Sequence, residues 1–337
     1  MRIGLAGVGR IGAQHARALH AHPDVDQLVL TDVDVERAAR VAGELGIEHV
    51  QDTDALLGAG IDAFAIAAAT DAHADLILAA VDAGLPVFCE KPVAGEVKTT
   101  VRVRDRVAEA GARVHIGFQR RFDAGYTAAR EALSSGALGD LRRVHLITAD
   151  PAPPSAGYIA TSGGVFRDMH IHDFDVVRWV TGREVVEVYA TGAARGADFF
   201  ASAGDVDESA ALLTLDDGTL CTLQGSRYNG AGYDVRMELA GTRATWAVGL
   251  DDSVPLHSAE PGVSFPQGPT VQAFWPRFVR AYNAELTAFV AMARGEGPSP
   301  CTVDDALEAL FVAEAADLSR REHRAVRVEE VKAAWSR

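Results

Sequence analysis

Ile3-Gly4-Leu5-Ala6-Gly7-Val8-Gly9-Arg10-Ile11-Gly12 is the stretch that decides the fold. It begins as a short apolar run and ends with glycines spaced G-x-G-x-x-G. The first glycine permits a tight turn, the second lets backbone approach a pyrophosphate, and the third allows a helix to pack closely on the strand. A phosphate held there faces free N–H groups at a helix N-terminus, where the dipole favours negative charge. Glycine-rich turns are common, so the motif takes its meaning from its setting. An apolar strand precedes it, helical spacing over Ile11–His22 follows, and the apolar run Gln27–Thr31 leads to Asp32, about twenty residues past Gly12. A carboxylate there accepts hydrogen bonds from the adenosine ribose and repels a 2′-phosphate, which favours NAD over NADP. Arg37 fits either attraction of that phosphate or a solvated helix face; its spacing from Val33 and Asp34 favours the second.

The alternation continues outward from this turn. Helical patterns over Val35–Leu45, Ala72–Ala83 and Glu96–Ala110 separate strand patterns over Asp62–Ala69, Val87–Cys89 and Arg113–Gly117. Such β-α-β repetition with nearly continuous apolar strands predicts a parallel sheet covered on both faces, an α/β Rossmann domain over residues 1–118. Beyond Gly139 the pattern changes to apolar/polar alternation in Leu141–Ala149, Glu184–Gly192, Ser209–Leu215, Thr219–Tyr228, Asp234–Leu239 and Ala244–Ala247. An α+β domain with a large, mostly antiparallel open sheet is therefore expected over residues 119–337. Helices return at Pro276–Arg294 and Val303–Arg320, the latter capped by Thr302 with Asp305, and these are expected to pack back on the first domain.

A chain of 337 residues is long for one core, which agrees with two domains. Its 48% hydrophobic and 23% charged residues are those of a globular protein. A formal charge of −15 excludes nucleic acid and anionic membrane as natural partners. No apolar run reaches about 18 residues, so no membrane span is predicted. The chain reads from its start into a strand without a signal peptide, and a cytoplasmic location is expected. Cys89, Cys221 and Cys301 are too scattered for a disulfide framework or a cysteine-based zinc site.

Two segments carry candidate chemistry. The chain has three lysines among its 32 basic residues, and Lys91 closes an apolar strand in Phe88-Cys89-Glu90-Lys91-Pro92. Lysine where arginine is the habit indicates a need for a compact ammonium of adjustable pKa. An ion pair with Glu90 would explain it as well. The second segment is Gly163–Trp179, where Asp168, His172 and Asp175 fall at i, i+4 and i+7, one face of a single helix. A carboxylate one turn from a histidine fixes its tautomer and stabilises its cation, as a general base requires. A capping acid beside a partly buried histidine has the same spacing. Three donors crowded into Asp168–His172 do not make a metal site.

Taken in order, Gly7–Gly12, Glu90-Lys91-Pro92, Gly117-Phe118-Gln119-Arg120-Arg121-Phe122-Asp123 and Asp168-(x)3-His172 resemble the glucose–fructose oxidoreductase/inositol dehydrogenase/rhizopine catabolism (Gfo/Idh/MocA) family. The likeness covers essentially the whole chain and is greatest to the myo-inositol 2-dehydrogenases. It implies NAD-dependent oxidation of a ring hydroxyl, with Lys91, Asp168 and His172 as the catalytic group and a bent or cis peptide before Pro92. It further implies a cofactor site of Gly7, Gly9, Arg10, Ile11, Gly12, Asp32, Thr70, His73, Glu90 and Lys91. Arg121, Asp150, Asp175 and Tyr233 join the catalytic group as candidates to hold a polyol, and a homo-oligomer, dimer or tetramer, is implied. Thr148 and Asp150 stand where inositol dehydrogenases commonly carry histidine and asparagine, and Met169 where threonine is frequent. These departures keep a sugar or an aminocyclitol open as substrate, the latter because an ammonium would pair with Asp150. A non-catalytic NAD-binding sensor is the alternative of a different class.

Overall fold

The computed structural model describes residues 1–335. The chain divides into two compact units, one of Met1–Gln119 with Arg280–Leu307, the other of Arg120–Val279 with the chain from Glu308 onward.

In the first unit β1 (Arg2–Ala6), β2 (Gln27–Thr31), β3 (Glu48–His49), β4 (Ala63–Ile66), β5 (Val87–Glu90) and β6 (Val114–Gly117) form a six-stranded sheet. The order is β3-β2-β1-β4-β5-β6 and every pairing is parallel. The apolar strands are buried because helices cover both faces. Ile3, Leu5, Leu28, Leu30, Ala65 and Phe88 share one core with Leu286, Phe289 and Val290 from the C-terminal part of the helix Phe274–Ala293. The strand order reverses between β1 and β4, and in such sheets the crevice beyond the carboxyl ends of the strands takes the ligand.

In the second unit β7 (Leu141–Ala149), β8 (Val185–Ala193), β9 (Glu208–Leu215), β10 (Leu220–Ser226), β11 (Asp234–Gly241), β12 (Thr245–Val248) and β13 (Val326–Arg327) form a seven-stranded sheet. Its order is β12-β11-β7-β10-β9-β8-β13, antiparallel except for the β7–β10 pair. Alternation sends Val144, Leu146, Leu213 and Leu223 inward, while Tyr189, Leu212, Leu220 and Trp246 stand exposed. The predicted strands are all present, but the two-residue strands β3 and β13 and the helices Thr53–Leu57 and Ala124–Ser134 lie outside the sequence reading.

The helix expected over 163–179 is broken in two. Asp168 ends the helix Val165–Asp168, and His172 lies in the first turn of the helix Ile171–Thr181. Between them the His170 N–H reaches back five residues to the Val165 carbonyl at 3.0 Å, so the uniform i, i+4, i+7 face is corrected. The break follows from the burial of His170. Its Nδ1 meets Asp173 Oδ2 at 2.8 Å and its Nε2 meets Ser209 Oγ at 2.7 Å. Asp173 Oδ1 also accepts from Arg120 Nη1 at 2.5 Å and from Thr148 Oγ at 2.8 Å. Burial would raise the Asp173 pKa, but the Arg120 guanidinium and the His170 and Thr148 hydrogen bonds hold it below the ordinary carboxylate value. Serine, histidine and aspartate in this array resemble a hydrolytic triad, yet Ser209, His170 and Asp173 are buried and no substrate reaches them. Thr148 belongs to this brace.

Gly225 on β10 makes room for it. A Cβ at that position would lie 2.3 Å from His170 Nε2 and 2.6 Å from Met169 Cε. Gly225→Ala is therefore expected to cost about 1–3 kcal/mol by overpacking, read as a lower denaturation midpoint with unchanged slope. An unaltered midpoint would show that the imidazole is free to move.

Candidate active site

The cofactor turn is built as the glycine spacing requires. Gly7 has φ +90°, and a Cβ on it would strike the Ala67–Ala68 backbone at 2.5 Å. A Cβ on Gly12 would lie 2.0 Å from the Gly7 carbonyl oxygen, so the helix Gly12–His20 can begin there only with glycine. A Cβ on Gly9 would meet nothing within 4 Å, leaving its backbone open to a phosphate. Arg10 is exposed and Ile11 half-buried, with no acidic residue in the helix's first turn. Asp32 follows β2, buried, and its Oδ2 accepts the Val8 N–H at 2.7 Å. Its Oδ1 accepts the Asp34 N–H at 2.9 Å and faces Arg37 Nη1 at 3.3 Å. Asp32 thus holds the glycine turn from the end of β2, where the ribose contact is expected, and Arg37 pairs with it and with Asp34. These features fit an adenine dinucleotide.

Further along the same edge of the sheet lie the ends of β4 and β5. Thr70 opens the helix Thr70–Asp82. His73 is buried, with Nδ1 2.7 Å from the Pro92 carbonyl and Nε2 3.0 Å from the Ala68 carbonyl. Its ring ties the β4 loop to the β5 loop beside the expected cofactor site. The Lys91–Pro92 peptide is cis. Glu90, just before it, meets His15 Nε2 at 2.6 Å, so the carboxylate has a partner on the helix that follows the glycine turn. Burial first, and the Glu90 charge second, push the Cys89 thiol well above its usual pKa, which keeps it from nucleophilic use.

In the second unit Asp168 is held at both oxygens. Tyr158 donates its hydroxyl to Oδ1 at 2.7 Å, and Arg227 Nη2 donates to Oδ2 at 2.5 Å. Arg227 Nη1 donates to Asp150 Oδ2 at 2.8 Å. Burial works against the Arg227 charge, but Asp168 and Asp150 more than offset it and keep the guanidinium protonated. Asp150, named as a partner for a substrate ammonium, thus already has a cation beside it. Arg121 and Asp175, expected to face a polyol, form a buried bidentate pair with each other, Nε to Oδ2 at 2.9 Å and Nη2 to Oδ1 at 2.5 Å. His172 is half-buried in a run, Met169–Val177, whose other members are buried. Tyr233 is half-buried, packs edge-on to Phe278, and is pushed up in pKa by burial first, with Asp150 among the smaller causes, so it stays a hydroxyl donor. Arg178 pairs with Glu184 at 2.6 Å. Tyr158 and Arg227 escaped the sequence reading because nothing local marks them.

Residues 1–118 match the family model described as "Oxidoreductase family, NAD-binding Rossmann fold", and residues 126–247 match "GFO/IDH/MocA C-terminal domain". The chain belongs to the GFO/IDH/MocA oxidoreductase family. Among curated relatives it is 38% identical to a myo-inositol dehydrogenase of Streptomyces leeuwenhoekii, over 95% of this chain and 97% of that one. It is 36% identical to an inositol 2-dehydrogenase of Rhizobium meliloti, over 97% and 99%. Among solved structures, a scyllo-inositol dehydrogenase from Lactobacillus casei with bound NAD(H) and scyllo-inositol superposes with TM-score 0.88 at 30% identity, covering 98% of this chain and 99% of that one. The GFO/IDH/MocA chain has, among its described residues, no helix long and apolar enough to cross a membrane and no cluster of His, Cys, Asp or Glu arranged for a metal ion.

Asp32→Ser is expected to lower the NAD/NADP ratio of kcat/KM about tenfold, since the repulsion of a 2′-phosphate goes while a hydroxyl can still accept from Val8. Steady-state kinetics with both cofactors decides it. An unchanged ratio removes Asp32 from the discrimination.

Proposed function

We propose that this oxidoreductase oxidises a secondary hydroxyl of a cyclitol, myo-inositol or an isomer, to the ketone with NAD. The observation that carries the reading is the edge of the first sheet. The glycine turn, Asp32, the Thr70 helix and Lys91 all follow the carboxyl ends of parallel strands, where a dinucleotide and the carbon it oxidises are handled. The inositol dehydrogenases among its relatives supply the substrate class.

Bound NAD+ supplies the acceptor for the hydride. His172 takes the hydroxyl proton as the carbinol C–H bond breaks, an acid–base role worth typically ~10²–10⁴-fold. Asp168, anchored by Tyr158 and Arg227, stabilises the imidazolium. Lys91 donates to the same oxygen while it carries alkoxide character. Asp150 and Tyr233 supply an acceptor and a donor for other ring hydroxyls. Arg121 and Asp175 act from behind, holding the helix that carries His172. The reading also places the enzyme in the cytoplasm as a homo-oligomer, dimer or tetramer, with the exposed apolar side chains of the second sheet as the surface that association would cover. Sedimentation that returns a monomer would remove that part.

A panel of inositols and aldoses, assayed by NADH formation at alkaline pH, tests the substrate. Preference for an aldose would transfer the reading to a sugar dehydrogenase, and no turnover with any polyol would favour a sensor. His172→Ala is expected to lower kcat by ~10²–10⁴-fold with NAD affinity retained. Equal losses in both would mean a structural histidine. Lys91→Arg is expected to lower kcat about tenfold or more, because a planar guanidinium cannot replace a compact ammonium. Near-normal kcat in that variant would remove Lys91 from the chemistry.

A further inference from the structure

We propose that Arg227 sets the substrate charge this site accepts: it neutralises Asp150 and fixes Asp168, so that an uncharged polyol binds and a ring bearing an ammonium does not. The inference rests on the reading of Asp150 and Asp168 as substrate-facing residues. Its basis is the strand register. β7 and β10 are parallel, with Ala149 opposite Ser226, so the next residue of each, Asp150 and Arg227, emerges at the same end of the sheet. The backbone is pinned there. Asp150 N–H donates to the Ser226 carbonyl at 2.9 Å, and Arg227 N–H donates to the Asp207 carbonyl at 2.8 Å. From that point the guanidinium uses one terminal nitrogen for Asp150 and the other for Asp168.

The three side chains differ in exposure, and that decides the chemistry. Arg227 is 4% exposed, Asp168 10% and Asp150 23%. Asp150 is thus the member a ligand can reach, while its counter-ion is sealed behind it. An ammonium on the remaining lone pair of Asp150 would sit beside a guanidinium already 2.8 Å from the same carboxylate and be repelled by it. Displacing that cation instead would leave a buried guanidinium half-paired, which is strongly unfavourable. A hydroxyl meets no such competition, because it needs only a lone pair of Asp150 and a paired carboxylate oxygen still has one. Lysine could not do the same work, since one ammonium lacks the fork that spans two carboxylates.

The test uses the full-length enzyme with NAD+, myo-inositol, and a set of analogues in which one hydroxyl at a time is replaced by a protonated amine. Calorimetry of each ring against the enzyme–NAD+ complex is run beside NADH formation. The wild type is expected to bind every amino ring about tenfold or more weakly than myo-inositol. Arg227→Gln is expected to shift that ratio about tenfold toward at least one amino ring, with lower kcat on the neutral ring and unchanged NAD+ affinity. Adding Asp150→Asn to Arg227→Gln should cancel most of the shift. A wild type that binds an amino ring as tightly as myo-inositol overturns the proposal without any variant. So does an Arg227→Gln ratio that moves less than about threefold. If the wild type oxidises no polyol at all, the functional reading falls and this inference with it. If it oxidises neutral rings but does not discriminate by charge, the inference about Arg227 alone is lost.

Discussion

Two consecutive arginines, Arg120 and Arg121, are each buried against a carboxylate of one helix, Asp173 and Asp175 of Ile171–Thr181. Breaking either pair would strand a charge away from water, at about 3–5 kcal/mol. The helix therefore has one admissible rotation about its axis. His170 and Thr148 tighten it further by taking the remaining positions around Asp173. Between Met169 and Val177 this leaves His172 as the one residue that is not buried. The proposed base is left half-buried, rather than buried, because its neighbours are committed elsewhere.

The first unit reaches comparable rigidity by a different route. There the limits are steric: the turn closes because no side chain stands at Gly7 or Gly12, and Asp32 then hydrogen-bonds back onto it. His73 and His15 perform the same bracing around Lys91, one through backbone carbonyls and the other through Glu90. These are local devices, with partners mostly on neighbouring loops of one sheet.

That difference explains what was legible in the sequence. A glycine spacing and a strand-ending aspartate carry their own geometry, so the nucleotide turn, the parallel order and the alternating strands could be read directly. The second unit's ion pairs join residues far apart in the chain. Arg120 and Asp173 are 53 positions apart, Arg121 and Asp175 54, Arg227 and Asp168 59, and Arg227 and Asp150 77. Nothing in a residue's surroundings in sequence reveals such a partner. Arg121 and Asp175 were assigned toward substrate without sight of the pair they make with each other. The helix break had the same origin, for an i, i+4 spacing looks identical whether or not the intervening turn is α-helical.

One asymmetry among these pairs bears on reactivity. Arg120 and Arg121 pair with Asp173 and Asp175 in the brace that fixes the helix. Arg227 instead forks between two acids, Asp150 and Asp168, where β7 and β10 end. In the proposed chemistry His172 becomes cationic as the hydroxyl proton arrives. A carboxylate already fixed in place, as Asp168 is by Arg227 and Tyr158, stabilises that cation without having to reorganise first. Interactions that strengthen only as the reaction proceeds are the ones that raise kcat.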